Sequence, residues 1–220
     1  MAQQDEIFFG YEGDNWFLRN EAGLKTDKLE KDRILFLMEL YGIKPEKALE
    51  VGAANGYRLA KIHELLGTEV CGVEPSAMAV KEGKKNWPFI DFKRVTAAQM
   101  DFDHEFDLVI ANFILHWVSR DSLILSIAKM DQALKPGGYM IIGDFQMPYP
   151  VKRRYHHIKD GGMFTYKTDY RNIFLSTGMY KEIAALTYDC DKKSLTGDVE
   201  AANFSSVSLL KKEESYIEIK

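Results

Sequence analysis

Residues 49–62 read LEVGAANGYRLAKI, an apolar strand that runs through Gly52-Ala53-Ala54-Asn55-Gly56 into a helix. Small residues at 52, 54 and 56 let a ligand approach the backbone, and the start of the next helix offers unpaired N–H donors. The same two glycines could equally serve only a tight turn. Two acids sharpen the choice. Glu74 ends the next strand, in VCGVEPS, 22 residues after Gly52. An acid there accepts hydrogen bonds from two ribose hydroxyls, because the first and second strands are neighbours in such folds. Glu50 stands two residues before Gly52, where a dinucleotide fingerprint carries an apolar residue.

Proton chemistry falls to five histidines, His63, His104, His116, His156 and His157. His63 belongs on the polar side of a helix and His104 in a loop of acids; both read as structural. The stretch 150–172, PVKRRYHHIKDGGMFTYKTDYRN, interleaves Lys152, Arg153, Arg154, Lys159, Lys167 and Arg171 with Tyr155, Tyr166 and Tyr170. Forked arginines and tyrosine hydroxyls suit an anionic or phosphorylated acceptor. His156 or His157 can take a proton near neutral pH, and only one of two adjacent side chains need face the site. Adjacent histidines make a poor metal pair, so no metal site is expected. Without a ligand, this segment is a solvated basic loop.

The elements that must position these residues alternate. A helix is expected over 26–41, capped by Thr26 and ended by Gly42. Strands at 47–51, 68–74, 89–95, 106–112 and 139–145 alternate with helices at 56–67, 76–86 and 121–134, the last two capped by Ser76 and Asp121 and the last followed by a Pro136-Gly137-Gly138 turn. This rhythm implies βαβ units, hence an α/β fold with a doubly wound parallel sheet. Beyond a helix near 168–177, the segments 180–190 and 203–213 read as strands that pair antiparallel. A length of 220 residues, 46% apolar and 28% charged, suits one globular domain. The formal net charge of −4 argues against nucleic-acid binding by overall charge. Cys71 and Cys190 match no metal spacing and are expected to be reduced. The acidic start MAQQDEIFFGYEGD is unlike a signal peptide, and no apolar run is long enough to span a bilayer, so the expected location is cytoplasmic.

LEVGAANG, GVEPS, VTAAQMDFDHEFDLVIANFILHWV and LKPGGYMIIGDF resemble, in order, the four signature regions of class I S-adenosylmethionine (SAM)-dependent methyltransferases, over about residues 45–145. FFGYEGDNWFLRN, residues 8–20, resembles sugar-pathway methylases such as the pseudaminic acid biosynthesis-associated family. The resemblance implies a Rossmann-like, mostly parallel seven-stranded sheet with an antiparallel C-terminal strand pair. It implies a single domain over 1–220: a helical cap (1–44), a SAM-binding core (45–145), a substrate-binding insert (146–178) and the strand pair (179–220). Glu50, Gly52, Ala53, Asn55 and Gly56 would surround the methionine end of SAM, Glu74 would hold the ribose, and Pro75 and Met78 would flank the adenine. Ala98 and Gln99 would meet the adenine edge. Family members often carry an Asp where this chain has Ala97, which leaves the backbone and Gln99 for the adenine amine. Asn112, Phe113 and Ile114 would lie beside the sulfonium, and Trp16 and Arg19 would fold over the donor, with Arg19 on its carboxylate.

The implied activity is methylation, with O-methylation favoured, of a small polar, anionic or phosphorylated metabolite, in sugar or capsule-type biosynthesis. Arg153, Arg154, Tyr155, Tyr166, Lys167 and Tyr170 would bind the acceptor. His156 or His157 would be the general base, with His116, just after the fourth strand, as the other candidate. A tRNA or protein acceptor gripped by 152–171 is the alternative, disfavoured by the acidic charge balance.

Overall fold

Strands alternate with helical segments from residue 47 to residue 145, as the periodicity predicts, and the pattern changes beyond β5 (Leu134–Phe145). The computed structural model describes residues 1–29, 31–158, 162–192, 194–195, 199 and 203–213. In chain order, α1 (Gln3–Ile7), a π-helical turn over Phe8–Glu12, α2 (Gly13–Asn20) and α3 (Arg33–Leu40) precede β1 (Lys47–Val51) and α4 (Tyr57–Leu66). Then come β2 (Glu69–Val73), α5 (Ala77–Asn86), β3 (Asp91–Lys93), β4 (Phe106–Asn112), α6 (Leu123–Ala133) and β5 (Leu134–Phe145). The hairpin β6 (Val151–Arg154) and β7 (Phe164–Lys167), α7 (Arg171–Leu175), β8 (Tyr180–Asp189), β9 (Ser194–Leu195) and β10 (Phe204–Lys212) follow.

The sheet runs β3-β2-β1-β4-β5-β10-β8-β9. β1 to β5 are mutually parallel, and β10 is antiparallel to both β5 and β8. The expected seven-stranded sheet is therefore present, with the two-residue β9 added at its edge. The order reverses between β1 and β4, which opens a crevice beyond the carboxyl ends of those strands. Successive residues of β1 and β4 point to opposite faces, so both faces carry a core. Leu49, Val51, Val109 and Ala111 pack with Ile127 and Met130 of α6. Ala48, Leu108 and Ile110 pack with Ile34 and Leu37 of α3 and Leu59 and Ile62 of α4.

Three boundaries differ from expectation. Thr26 opens a separate 3₁₀ turn, and α3 starts only at Arg33, because the Asp32 carboxylate accepts the backbone N–H groups of Ile34 and Leu35, each at 3.0 Å. α6 starts after Ser122 rather than at Asp121. The Pro136-Gly137-Gly138 turn sits inside β5 as a bulge, where the register jumps from Phe106–Leu134 to Leu108–Tyr139 and Gly137 adopts φ +75°. Ser76 caps α5 as expected, its hydroxyl accepting from Ala79 N at 3.1 Å.

Candidate active site

The loop after β1 turns on three left-handed residues, Gly52 (φ +73°), Ala54 (φ +50°) and Gly56 (φ +81°). Gly52 N and Ala53 N both donate to Val73 O, at 2.7 and 3.1 Å, which ties the loop to the end of β2. A Cβ at Gly52 would strike Ile114 Cγ2, and one at Gly56 would lie 2.7 Å from Phe92 Cζ and 2.8 Å from Ile90 Cδ1. Glycine is thus demanded here by neighbouring protein as well as by φ. Gly56→Ala is expected to destabilise the fold by about 1–3 kcal/mol, lowering Tm by about 2–10 °C in thermal unfolding. An unchanged Tm would mean that α4 shifts freely against β3.

A cavity of about 470 Å³ lies between this loop, the ends of β2 and β4, and the N-terminal helices. Nine residues expected at a donor wall it: Trp16, Glu50, Gly52, Glu74, Pro75, Ala98, Asn112, Phe113 and Ile114. Phe8, Leu24, Tyr57, Arg58, Thr96 and Trp117 join them. Six expected residues do not wall it. Ala53 and Gly56 shape the loop from behind. Asn55 is a buried staple, its Nδ2 donating to Leu24 O (3.1 Å) and Glu82 Oε1 (2.9 Å). Met78 is 40% exposed. Gln99 turns its Oε1 back to Thr96 N and Oγ1, each at 3.1 Å. Arg19 pairs with Glu12 and donates to Tyr155 Oη at 2.7 Å.

Three buried carboxylates wall the cavity; Asp5 accepts from Ser119 N at 3.0 Å and from Ser122 Oγ, which leaves Glu50 and Glu74 to consider. Glu74 Oε2 accepts from Ala54 N and Oε1 from Ser76 N, both at 2.8 Å, so this side chain faces the loop. Burial pushes its carboxyl up to about 7 against those two donors. Glu50 is 1% exposed and pairs through Oε1 with Arg58, while its Oε2 has no hydrogen-bond partner among the described residues. Burial raises Glu50 to about 7 as well, opposed by the Arg58 charge. Sequence reasoning passed over Arg58, yet a cation in the first turn of a helix opposes the helix dipole and is itself a signal of a partner.

The N-terminal helices are latched over the crevice. Gln4 Nε2 donates to Trp117 O (2.6 Å) and Phe164 O (2.9 Å), and Gln4 Oε1 accepts from Phe164 N (3.0 Å). Asp14 accepts from Ser76 Oγ (2.6 Å) and Met78 N (2.9 Å). Beneath them His116 is 4% exposed, with Nδ1 2.9 Å from Asp144 Oδ1, and it packs between Trp117 and Phe113.

The insert residues sit apart from the cavity. Arg153 and Arg154 are exposed on β6, as are His156 and His157 beyond it, whose tilted rings have centroids 4.0 Å apart. Tyr155 is buried and donates to Glu12 Oε1 at 3.0 Å. Tyr166 lies under the Arg120 guanidinium, Lys167 sits over the Phe145 ring, and Tyr170 is buried with its hydroxyl on Tyr166 O and Arg120. Lys159 lies outside the described residues. Among the described residues that wall the cavity, the one cation is Arg58, already engaged by Glu50 and Asp32.

Residues 48–138 match the family described as a methyltransferase domain. The chain is 31% identical over 130 residues to a ubiquinone biosynthesis O-methyltransferase of Rhodopseudomonas palustris, covering 57% of this chain and 47% of that protein. It is 31% identical over 126 residues to a demethylmenaquinone methyltransferase of Renibacterium salmoninarum, covering 57% and 52%. The chain thus spans about half the length of the curated relatives it matches. Its fold is similar to that of the Burkholderia thailandensis 1,6-didemethyltoxoflavin-N1-methyltransferase, solved with 1,6-didemethyltoxoflavin and S-adenosylhomocysteine, with a TM-score of 0.71, 16% identity and coverage of 97% and 91%. The N-methyltransferase NodS of Bradyrhizobium japonicum, in complex with S-adenosylhomocysteine, aligns with a TM-score of 0.60, 17% identity and coverage of 84% and 87%. Residues 48–138 thus carry a methyltransferase domain, on a fold similar to that of solved methyltransferases.

Proposed function

We propose that the chain transfers the methyl group of SAM to a hydroxyl of a small acceptor that packs among Phe8, Phe113 and Trp117. The observation that carries this reading is the pair of buried carboxylates, Glu50 and Glu74, at the ends of adjacent parallel strands on one cavity. The residues present fit the donor. Glu50 Oε2 is a buried acceptor lacking a donor among the described residues, suited to the ammonium of the methionine end. Each Glu74 oxygen spends one lone pair on backbone and keeps capacity for a ribose hydroxyl. Pro75, Ala97 and Ala98 give the adenine an apolar slot, consistent with the missing Asp at 97. Bound there, SAM supplies an electrophilic methyl on a sulfonium, and alignment with the acceptor supplies much of the rate.

His116, which lies against the cavity-lining Phe113 and Trp117 rather than on the wall itself, is the base we assign. With Nδ1–H donated to Asp144, Nε2 is left to take the hydroxyl proton, and Asp144 fixes that tautomer. His156 and His157, exposed on the insert, have no carboxylate hydrogen-bonded to their rings among the described residues. Among the described residues of the cavity walls an anionic acceptor finds no free cation, so an uncharged, planar acceptor is the better fit. Transfer to nitrogen is a second reading, favoured by the two solved neighbours named for N-methylation; an amine needs desolvation but no base.

Calorimetry with S-adenosylhomocysteine tests the reading, with a Kd in about the micromolar range expected. Binding no tighter than about millimolar would sink it. A metabolite screen for SAM-dependent gain of one methyl then identifies the acceptor.

A further inference from the structure

Arg58 is buried at the start of α4, and its guanidinium is divided between two carboxylates. Nη1 donates to Glu50 Oε1, while Nε and Nη2 each reach Asp32 Oδ2 at 3.1 Å; Nη2 also lies 3.2 Å from Tyr57 Oη. Two carboxylates against one guanidinium leave one negative charge in excess. That excess lies at the cavity wall, which Glu50 and Arg58 both line, and the buried Glu50 Oε2 has no partner there among the described residues. A buried, half-satisfied carboxylate of this kind is completed by a cation.

We propose that Arg58 is a positioning residue for the methyl donor: it holds Glu50 ionised and turned so that Oε2 receives the donor's ammonium, and it links that grip through Asp32 to the first turn of α3. The inference rests on the donor reading above and deepens it. The charged and titratable groups that face Glu50 are Arg58 and Tyr57 on α4, Asp32 ahead of α3, and Glu74 beyond β2. Without the guanidinium, Asp32 and Glu74 stand as uncompensated like charges, and burial then drives the Glu50 carboxyl further up. A neutral Glu50 has no charge with which to attract an ammonium.

The test is calorimetry on the full chain with S-adenosylhomocysteine and with 5′-methylthioadenosine, from about pH 6 to about pH 8.5. Both ligands carry adenine, ribose and a thioether; only the first has the amino-acid end. Failure of the wild type to bind either ligand would overturn the donor reading, and this proposal with it. Given wild-type binding, Arg58→Met is expected to weaken S-adenosylhomocysteine by at least about tenfold at about pH 7.5. The pH midpoint of that binding is expected to rise by about one unit or more, while methylthioadenosine affinity stays within about twofold. Equal losses for both ligands, or an unmoved midpoint, would overturn the assignment, since a merely structural Arg58 would give those results. Should Arg58→Met fail to fold by circular dichroism, Arg58→Lys is read in the same way. It keeps the charge and loses the fork, so a selective loss of about threefold to tenfold is expected. An unchanged ratio between the two ligands would overturn the proposal.

Discussion

Changing His116 to Gln is expected to slow methyl transfer by about 10²- to 10⁴-fold, the contribution of a positioned general base. Affinity for S-adenosylhomocysteine is expected to stay within about twofold, because the imidazole packs against Phe113 and Trp117 rather than among the donor-facing carboxylates. Asp144→Asn tests the orienting role. The amide cannot take the Nδ1 proton in the same way and favours the wrong tautomer, so kcat is expected to fall by about 10²-fold or more. The acceptor is the compound identified by mass gain. A His116→Gln enzyme that keeps its full rate would remove the base and leave transfer to nitrogen as the standing reading.

Glu74→Ala is expected to weaken S-adenosylhomocysteine by about 100-fold, through the loss of two charge-assisted bonds to ribose hydroxyls. It also strips the Ala54 and Ser76 N–H groups of their acceptor, which is expected to lower stability by about 2–4 kcal/mol and Tm by about 5–15 °C. Comparing loss of affinity with loss of Tm separates the two roles. Unchanged affinity would contradict the ribose assignment.

The pH dependence carries two opposite signs. Burial raises Glu50 and Glu74 from an ordinary carboxyl value of 4.5 to about 7 in the ligand-free protein. The folded chain therefore holds these protons more tightly than the unfolded chain. Their contribution to stability is full below pH 4.5 and is lost as the pH rises through about 7. Donor affinity runs the other way, because an ionised Glu50 is what attracts the ammonium, so it rises through the same window. Thermal unfolding of the free protein and calorimetry of the complex should thus slope in opposite directions between about pH 5 and about pH 8. Parallel slopes would mean that these acids do not titrate at the site.

Much of the fold could be read because its cues are local. β4 is apolar at Phe106 and from Leu108 to Ala111, Ser76 stands where α5 needs an acceptor, and Gly67 adopts φ +72° to end α4. The start of α3 was missed because Thr26 and Asp32 are both able caps, and the choice between them depends on which one reaches Ile34 N and Leu35 N. The basic insert depends on more than composition. Its residues suit an anion, but a hairpin points successive side chains to opposite faces, and Arg153 and Arg154 are exposed.

By itself the sequence determined the alternation of strands and helices, the left-handed loop between Val51 and Tyr57, and the acid at the end of β2. Each depends on residues within a few positions of one another. Only the tertiary structure decided which groups meet. Asp5 finds Ser119, Arg19 is taken by Glu12 and Tyr155, Asp144 reaches His116, and Arg58 is shared between Glu50 and Asp32. A charged side chain leaving water needs a partner, and many sequence-distant partners satisfy that need equally well until packing brings one of them within hydrogen-bond reach.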